Sequence, residues 1–216
     1  SNGGYGASVA YPLLIVSSRR RRHMSAEVPQ LVIPISDVTT AIRPGPFAEL
    51  SNRVEEMREY FCASEAKRDH DYWMVRTLAF EHDGKLLGCA SVQADSIRLD
   101  PKSRDETLPY LAVPAIKLAR FARNDAIKAC RVEIDDRLLS VGEFMMFYVK
   151  GYCRVLANSL GVRFMTLDAL PEQKLISWYK QQRFVETGVQ MLEDDGVTPA
   201  QEVNMLFDLR TSDTTW

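Results

Sequence analysis

The sequence predicts a single α/β domain, and three observations carry that prediction. Apolar runs of strand period alternate with runs of helix period, in the order β-α-β-β-β-α-β-α-β-β. Asp83-Gly84 stands between two apolar runs, where both turn positions need positive φ, so residues 73–92 read as a β-hairpin. Residues 143–159 set Phe144, Phe147, Tyr148, Tyr152 and Val155 on one helical face, with Gly161 near the C′ position.

The elements follow in order. Leu31–Ile35 is the first expected strand. Pro44-Gly45-Pro46 breaks the chain, and Phe47, Leu50, Val54, Met57 and Phe61 then recur at three- and four-residue steps. That spacing predicts one helix over 47–66. Trp73–Phe80 and Leu86–Val92 are the hairpin strands, rich in aromatic and branched residues. Ser96–Thr107 is charged and holds Pro101, so it reads as a loop. Leu108–Arg123 is apolar but contains Pro109 and Pro114, which predicts a strand with irregular points. Residues 124–136 show no period. Arg163–Leu167 is a strand, and Glu172–Gln182 is a helix that starts one residue after Pro171. Phe184–Gly188 and Glu202–Leu209 close as strands.

With 216 residues, 46% hydrophobic and 26% charged, the chain has the size and composition of one domain. It has no apolar run near the ~20 residues of a membrane span. Residues 1–23 are Gly- and Ser-rich and end in Arg19–Arg22 before His23-Met24. They read as an appended or disordered leader with Met24 as the natural start, leaving 24–216 as the domain. Without the leader's four arginines, 23 basic side chains face 29 acidic ones, so the domain carries about −6. This argues against a broad nucleic-acid surface. Cys62, Cys89, Cys130 and Cys153 are widely spaced with no C-x-x-C pair, and there are three histidines. The pattern argues against zinc and suits free thiols in a reducing cytoplasm.

The most informative segment is 137–145, Arg-Leu-Leu-Ser-Val-Gly-Glu-Phe-Met. Small residues at Ser140 and Gly142 let backbone approach a ligand, and the helix that starts here aims free amides at the gap. Arg137 adds a planar cationic fork. The set suits a phosphate or pyrophosphate. A plain loop-to-helix start with a glycine near its cap suits the residues as well.

In this segment the chain resembles the GNAT superfamily of acetyl-CoA-dependent N-acetyltransferases. Its members carry an Arg/Gln-x-x-Gly-x-Gly/Ala loop that holds the coenzyme A pyrophosphate. Here Ser140 stands at the first glycine, and Asp135, Asp136 and Glu143 flank the loop. Residues 161–184 resemble the family's closing strand-helix-strand unit, with Trp178-Tyr179 at its aromatic-Tyr position and Arg183 where the family has glycine. The strand Val113–Asn124 resembles the family strand that ends in a bulge facing the acetyl group, with Phe121, Ala122 and Arg123 at that place. Asp125–Asp136 then reads as an insertion.

The resemblance spans about two-thirds of the chain, from Trp73 to Leu209. It implies a mixed central sheet of six to seven strands with flanking helices, and acetyl-CoA as cosubstrate. It also implies a coenzyme site at Phe121, Ala122, Arg123, Arg137, Leu138, Ser140, Val141, Gly142, Glu143 and Phe144. Tyr179 takes the role of general acid for the departing thiolate, and Trp178 reads as core. Within the superfamily, Ala66-Lys67-Arg68, Gly88 and the run 113–122 are most similar to toxin-type enzymes of toxin–antitoxin pairs. Their acceptor is the α-amine of charged tRNA, with Arg120 and Arg131 as its contacts here. An antitoxin and a second copy of the chain are the partners this implies. The basic cluster at 120–137 is equally a solvated face. A metabolic or protein N-acetyltransferase, and a degenerate fold that binds coenzyme A without turnover, remain alternatives.

Overall fold

The computed structural model describes residues 31–98, 112–188 and 201–211. Among these residues ten strands form: β1 (Val32–Pro34), β2 (Thr39–Ile42), β3 (Arg76–His82), β4 (Lys85–Arg98), β5 (Ala112–Arg123), β6 (Arg131–Ile134), β7 (Arg137–Ser140), β8 (Phe164–Ala169), β9 (Val185–Glu186) and β10 (Val203–Asp208). Four helices accompany them: α1 (Glu55–Cys62), α2 (Glu65–Asp71), α3 (Val141–Leu160) and α4 (Gln173–Gln181). A seven-stranded mixed sheet runs in the order β2-β3-β4-β5-β8-β10-β9, and a separate sheet runs β1-β6-β7.

The hairpin β3–β4 turns at Asp83 (φ 49°) and Gly84 (φ 71°), as both residues predict. α3 and α4 fall within a residue or two of their expected spans, and Gly161 ends α3 at φ 69°. The expected first strand forms as β1, within the small sheet, and β2, which the sequence reading did not include, is the edge of the large one. Three expectations need correction. Residues 47–66 do not make one helix. Phe47 and Leu50 are buried, but Val54 NH turns onto Asn52 Oδ1 (2.9 Å) and Ser51 NH onto Asn124 Oδ1 (3.2 Å). Short polar side chains thus compete with the helix ladder, and helix begins only at Glu55. Trp73 lies outside the strand, in the left-handed region (φ 64°) at the end of α2, and is 81% exposed. Residues 131–140 form a hairpin, β6–β7, turned by Asp135 (φ 47°) and Asp136 (φ 64°). The expected leader, most of the 96–107 loop and residues 108–111 lie outside the described residues. Among those described, no helix is long and apolar enough to cross a membrane.

Strand alternation decides what each face of the large sheet meets. Met165, Leu167, Ala169, Met205 and Phe207 point into the main core with α3 and α4. Ala79, Leu86, Cys89 and Ala122 point the other way, onto Phe47, Phe61 and Ala66 beside α1 and α2. Gly88 is required where β4 meets α3: a Cβ there would stand 2.6 Å from Ala122 O and from Met145 Sδ. Lys150 is fully buried on α3, donates to Gln182 O and lies 4.2 Å over the Phe207 ring.

β5 joins the two halves of the sheet. It pairs with β4 along its whole length, with Ala119 inserted as a bulge between Leu118 and Arg120. On its other edge it pairs with β8, in parallel, only at Ala115–Phe164, Ile116–Met165 and Lys117–Thr166. Beyond Lys117 the strands part. Asn124, 5% exposed, holds the end of β5: its Oδ1 accepts from Ser51 NH and Ala126 NH, and its Nδ2 donates to Glu49 O and Leu86 O. Asn124→Ala strands four backbone groups and should cost about 2–4 kcal/mol. Calorimetry should register this as a fall of roughly 5–15 °C in melting temperature; a shift under about one degree would show that other contacts hold this loop.

Candidate functional site

A cleft of about 380 Å³ opens where β5 and β8 separate. Four segments wall it: Asn52, Arg53, Val54 and Met57; Leu118–Phe121 with Arg123 and Asp125; Ser140 and Gly142; and Leu167–Leu170 with Lys174, Leu175, Trp178 and Tyr179. On the β8 side, residues 118–121 have no strand partner, so their edge faces the cleft. The gap passes through the sheet, with α3 and α4 on one side and α1 on the other.

Tyr179 reaches the cleft from α4 and is 8% exposed. Burial pushes its phenol up to about 12, so it keeps its proton at neutral pH. Its hydroxyl makes no hydrogen bond to a described residue. Trp178 is not simply core, as the sequence suggested: it is half-buried, lines the cleft, and lies 5.9 Å from Phe121 and 5.0 Å from Tyr179.

The expected coenzyme residues divide into three groups. Phe121, Arg123, Ser140 and Gly142 line the cleft. Ala122, Val141 and Phe144 turn buried side chains into the two cores, leaving only their backbone for a ligand. Arg137 and Leu138 stand exposed on the β6–β7 hairpin and are not among the lining residues. The bulge sits at Ala119, two residues earlier than expected, because β5 regains regular pairing with β4 at Phe121–Arg123. Glu143 does not face the cleft; it closes a capping box. Its Oε2 accepts from Ser140 NH (2.7 Å), and Ser140 Oγ accepts from Glu143 NH (3.3 Å).

The two expected acceptor contacts are not brought together. Arg120 lines the cleft, pairs with Glu56 (3.3 Å) and lies 5.2 Å over Tyr60. Arg131 is on β6 in the small sheet, bonded to Cys130 O (3.1 Å). Sequence reasoning missed Asn52, Arg53, Val54 and Met57, because long-range bonds bring that loop here: Ser51 NH to Asn124 Oδ1, Asn52 Nδ2 to Arg123 O and Arg53 NH to Asp125 Oδ2. It also missed Asp168, which lay inside a recognised segment.

No protein-family model and no curated protein matches the chain. Solved structures do. AtaT complexed with acetyl-methionyl-tRNAfMet aligns at TM-score 0.57 and 15% identity, over 80% of this chain and 95% of that one. AtaTR bound with AcCoA aligns at 0.56 and 16% identity, over 82% and 96%. An AtaT mutant toxin bound to the C-terminus of the antitoxin AtaR aligns at 0.55 and 12% identity, over 81% and 93%. The chain has the GNAT fold.

Within the GNAT fold, two departures noted in the sequence now have a geometry. Ser140 sits at φ −62°, so serine in place of glycine brings no strain. Arg183 sits at φ 66°, in the left-handed region that favours glycine. A test of Tyr179 follows from its burial. Above pH 10 an unfolded chain ionises this phenol before the folded one does, so native stability drains away between pH 10 and 12. Tyr179→Phe lacks that loss. Denaturant titrations across this window should move the balance toward the variant by up to ~2–3 kcal/mol.

Proposed function

We propose that the protein is an N-acetyltransferase that moves the acetyl group of acetyl-CoA to a primary amine by direct attack in a ternary complex. One observation carries this reading: a protonated phenol, without a hydrogen bond among the described residues, stands in a cleft where one strand's edge is left free beside a helix N-terminus. AtaTR, bound with AcCoA, supplies support from a chain of the same fold.

The residues present fit the cosubstrate. Gly142 leaves open space: a Cβ there would meet only the Trp178 ring, at 3.6 Å. Val141 NH and Gly142 NH, in the first turn of α3, have no intrahelical partner and suit a diphosphate. Arg120 Nε and Arg123 Nε are buried beside the cleft without hydrogen bonds. The cation that the sequence placed at Arg137 comes to the cleft from Arg53, Arg120, Arg123 and Lys174 instead. When bound, the thioester brings the activated acetyl group.

The chain's own groups do the rest. The free edge of 118–121 offers backbone donors to a thioester carbonyl, where they polarise it as an oxyanion hole does. Trp178 and Phe121 wall the channel and exclude water. Tyr179 gives its proton to the departing thiolate. No cysteine attacks in this scheme: burial pushes the thiols of Cys89 and Cys153 up, the latter to about 12.

The acceptor we favour is the α-amine of charged tRNA, in the manner of a toxin-type enzyme, with an antitoxin as partner and the cytoplasm as place of work. AtaT in complex with acetyl-methionyl-tRNAfMet, and bound to AtaR, supports this by analogy of fold. Arg53, Arg120, Arg123 and Lys174 outnumber the lining carboxylates Asp125 and Asp168 on an acidic chain, although Glu172, Glu56 and Asp125 pair with the three arginines.

Two measurements check this reading. Tyr179→Phe should bind acetyl-CoA as the parent does but transfer acetyl ~10²- to 10⁴-fold more slowly; equal turnover would reduce Tyr179 to a packing residue. Glu143→Gln keeps the capping hydrogen bonds but removes a negative charge from the start of α3. Calorimetry should show acetyl-CoA binding several-fold tighter, a gain of roughly 0.5–1 kcal/mol, and unchanged affinity would place the diphosphate elsewhere.

A further inference from the structure

Acetyl transfer also needs a destination for the acceptor's proton, since an α-amine with pKa near 7.7–8.0 arrives largely as ammonium. Tyr179 is already protonated and stands on the α3–α4 side. The opposite side of the same cleft holds a carboxylate. Leu167 and Ala169 point into the core with α4, so Asp168 between them points to the face that carries α1. It lines the cleft there, with its side chain 20% exposed.

Asp168 is held rigidly. Asn204 Nδ2 donates to its Oδ1 (2.8 Å), and Thr187 Oγ1 in turn donates to Asn204 Oδ1 (2.9 Å). Lys117 Nζ pairs with Oδ2 at the last rung before the strands part. One described donor on each oxygen leaves lone pairs for an amine or a water. On the same face stand Asp95, bonded by Thr166, and Arg120; Lys174 and Tyr179 enter the cleft from α4.

We propose that Asp168 receives the acceptor ammonium and takes its proton, with Lys117 and Asn204 as positioning residues. The inference rests on the N-acetyltransferase reading. Asp168 takes one ammonium proton and passes it to solvent. The neutral nitrogen forms the C–N bond with the acetyl carbon, and the C–S bond breaks. Tyr179 protonates the thiolate and regains a proton, through water, from the nitrogen. One proton is released per acetyl moved, and the two acid–base groups flank the gap from opposite faces.

The test uses the full chain, acetyl-CoA and tRNA charged with a mixture of amino acids, from pH 6.5 to 9. Asp168→Asn and Asp168→Ser are assayed together, so that one folding failure leaves the other informative. Both should keep the parent's acetyl-CoA affinity and lose ~10²-fold in kcat/KM at pH 7. The deficit should shrink as pH rises, because more acceptor then arrives as free amine. A parental rate in either variant, or a deficit that does not change with pH, would overturn the role of Asp168. Transfer by neither parent nor variants would instead overturn the reading beneath it.

Discussion

Everything the cleft does depends on three rungs of parallel pairing, Ala115–Phe164 to Lys117–Thr166, which among the described residues are the only strand pairs between the two halves of the large sheet. A sheet that continued this pairing would have no gap. The extra residue at Ala119 bends β5 away from β8 while its pairing with β4 survives on the other edge. Asn124 then fastens the far end of β5 to Leu86 O and to the loop before α1. Gly88 lets the same strand pair press close to Met145 on α3. The split is therefore held at both ends by packing and hydrogen bonds.

The two sides of the gap differ in chemistry because strand alternation sends neighbouring residues to opposite faces. Leu167, Phe121 and Trp178 make the α3–α4 side apolar and aromatic, and burial there pushes the Tyr179 phenol further above its already high ordinary value. Arg120 and Asp168, a residue or so away in sequence from those walls, face the α1 side with Glu56 and Lys117 as partners. The exposed pair Arg53–Glu172 (2.9 Å) links the loop before α1 to the start of α4 across the cleft mouth. Such a pair is worth under about 1 kcal/mol, so it orients this edge more than it stabilises it. The start of α3 has a similar double character: Glu143 satisfies Ser140 NH in the capping box, on the very turn whose remaining amides suit an anion.

The parts of the site that were legible in the sequence are those set by short-range rules. Asp83-Gly84 demanded a two-residue turn, and α3 announced itself by its apolar stripe and Gly161. The strand, helix and strand within 161–184 each carry their own period, and the resemblance of that unit to the family's closing segment singled out Tyr179 on its helix. The loop 43–54 was misread for the same reason in reverse. Phe47, Leu50 and Val54 do fall at helical spacing, but Phe47 and Leu50 are buried by a looped backbone in which Ser51 NH bonds to Asn124 and Arg53 NH to Asp125, about seventy residues later. The β6–β7 hairpin was missed because Asp135-Asp136 is a weaker turn signal than Asp-Gly, and its strands are only four residues each.

By itself, then, the sequence determined the β3–β4 hairpin, the long helix and its closing glycine, and the Trp178-Tyr179 pair on α4, because backbone propensity and side-chain periodicity act over a few residues. Only the tertiary structure decided that Arg137 stands on an exposed hairpin, that Arg120 and Arg131 are apart, and that Asp168 shares a cleft with Tyr179. Those outcomes turn on where β5 leaves β8 and on which face each residue takes after a one-residue bulge. A shift of one position in a strand reverses every side chain beyond it, and no local pattern records that choice.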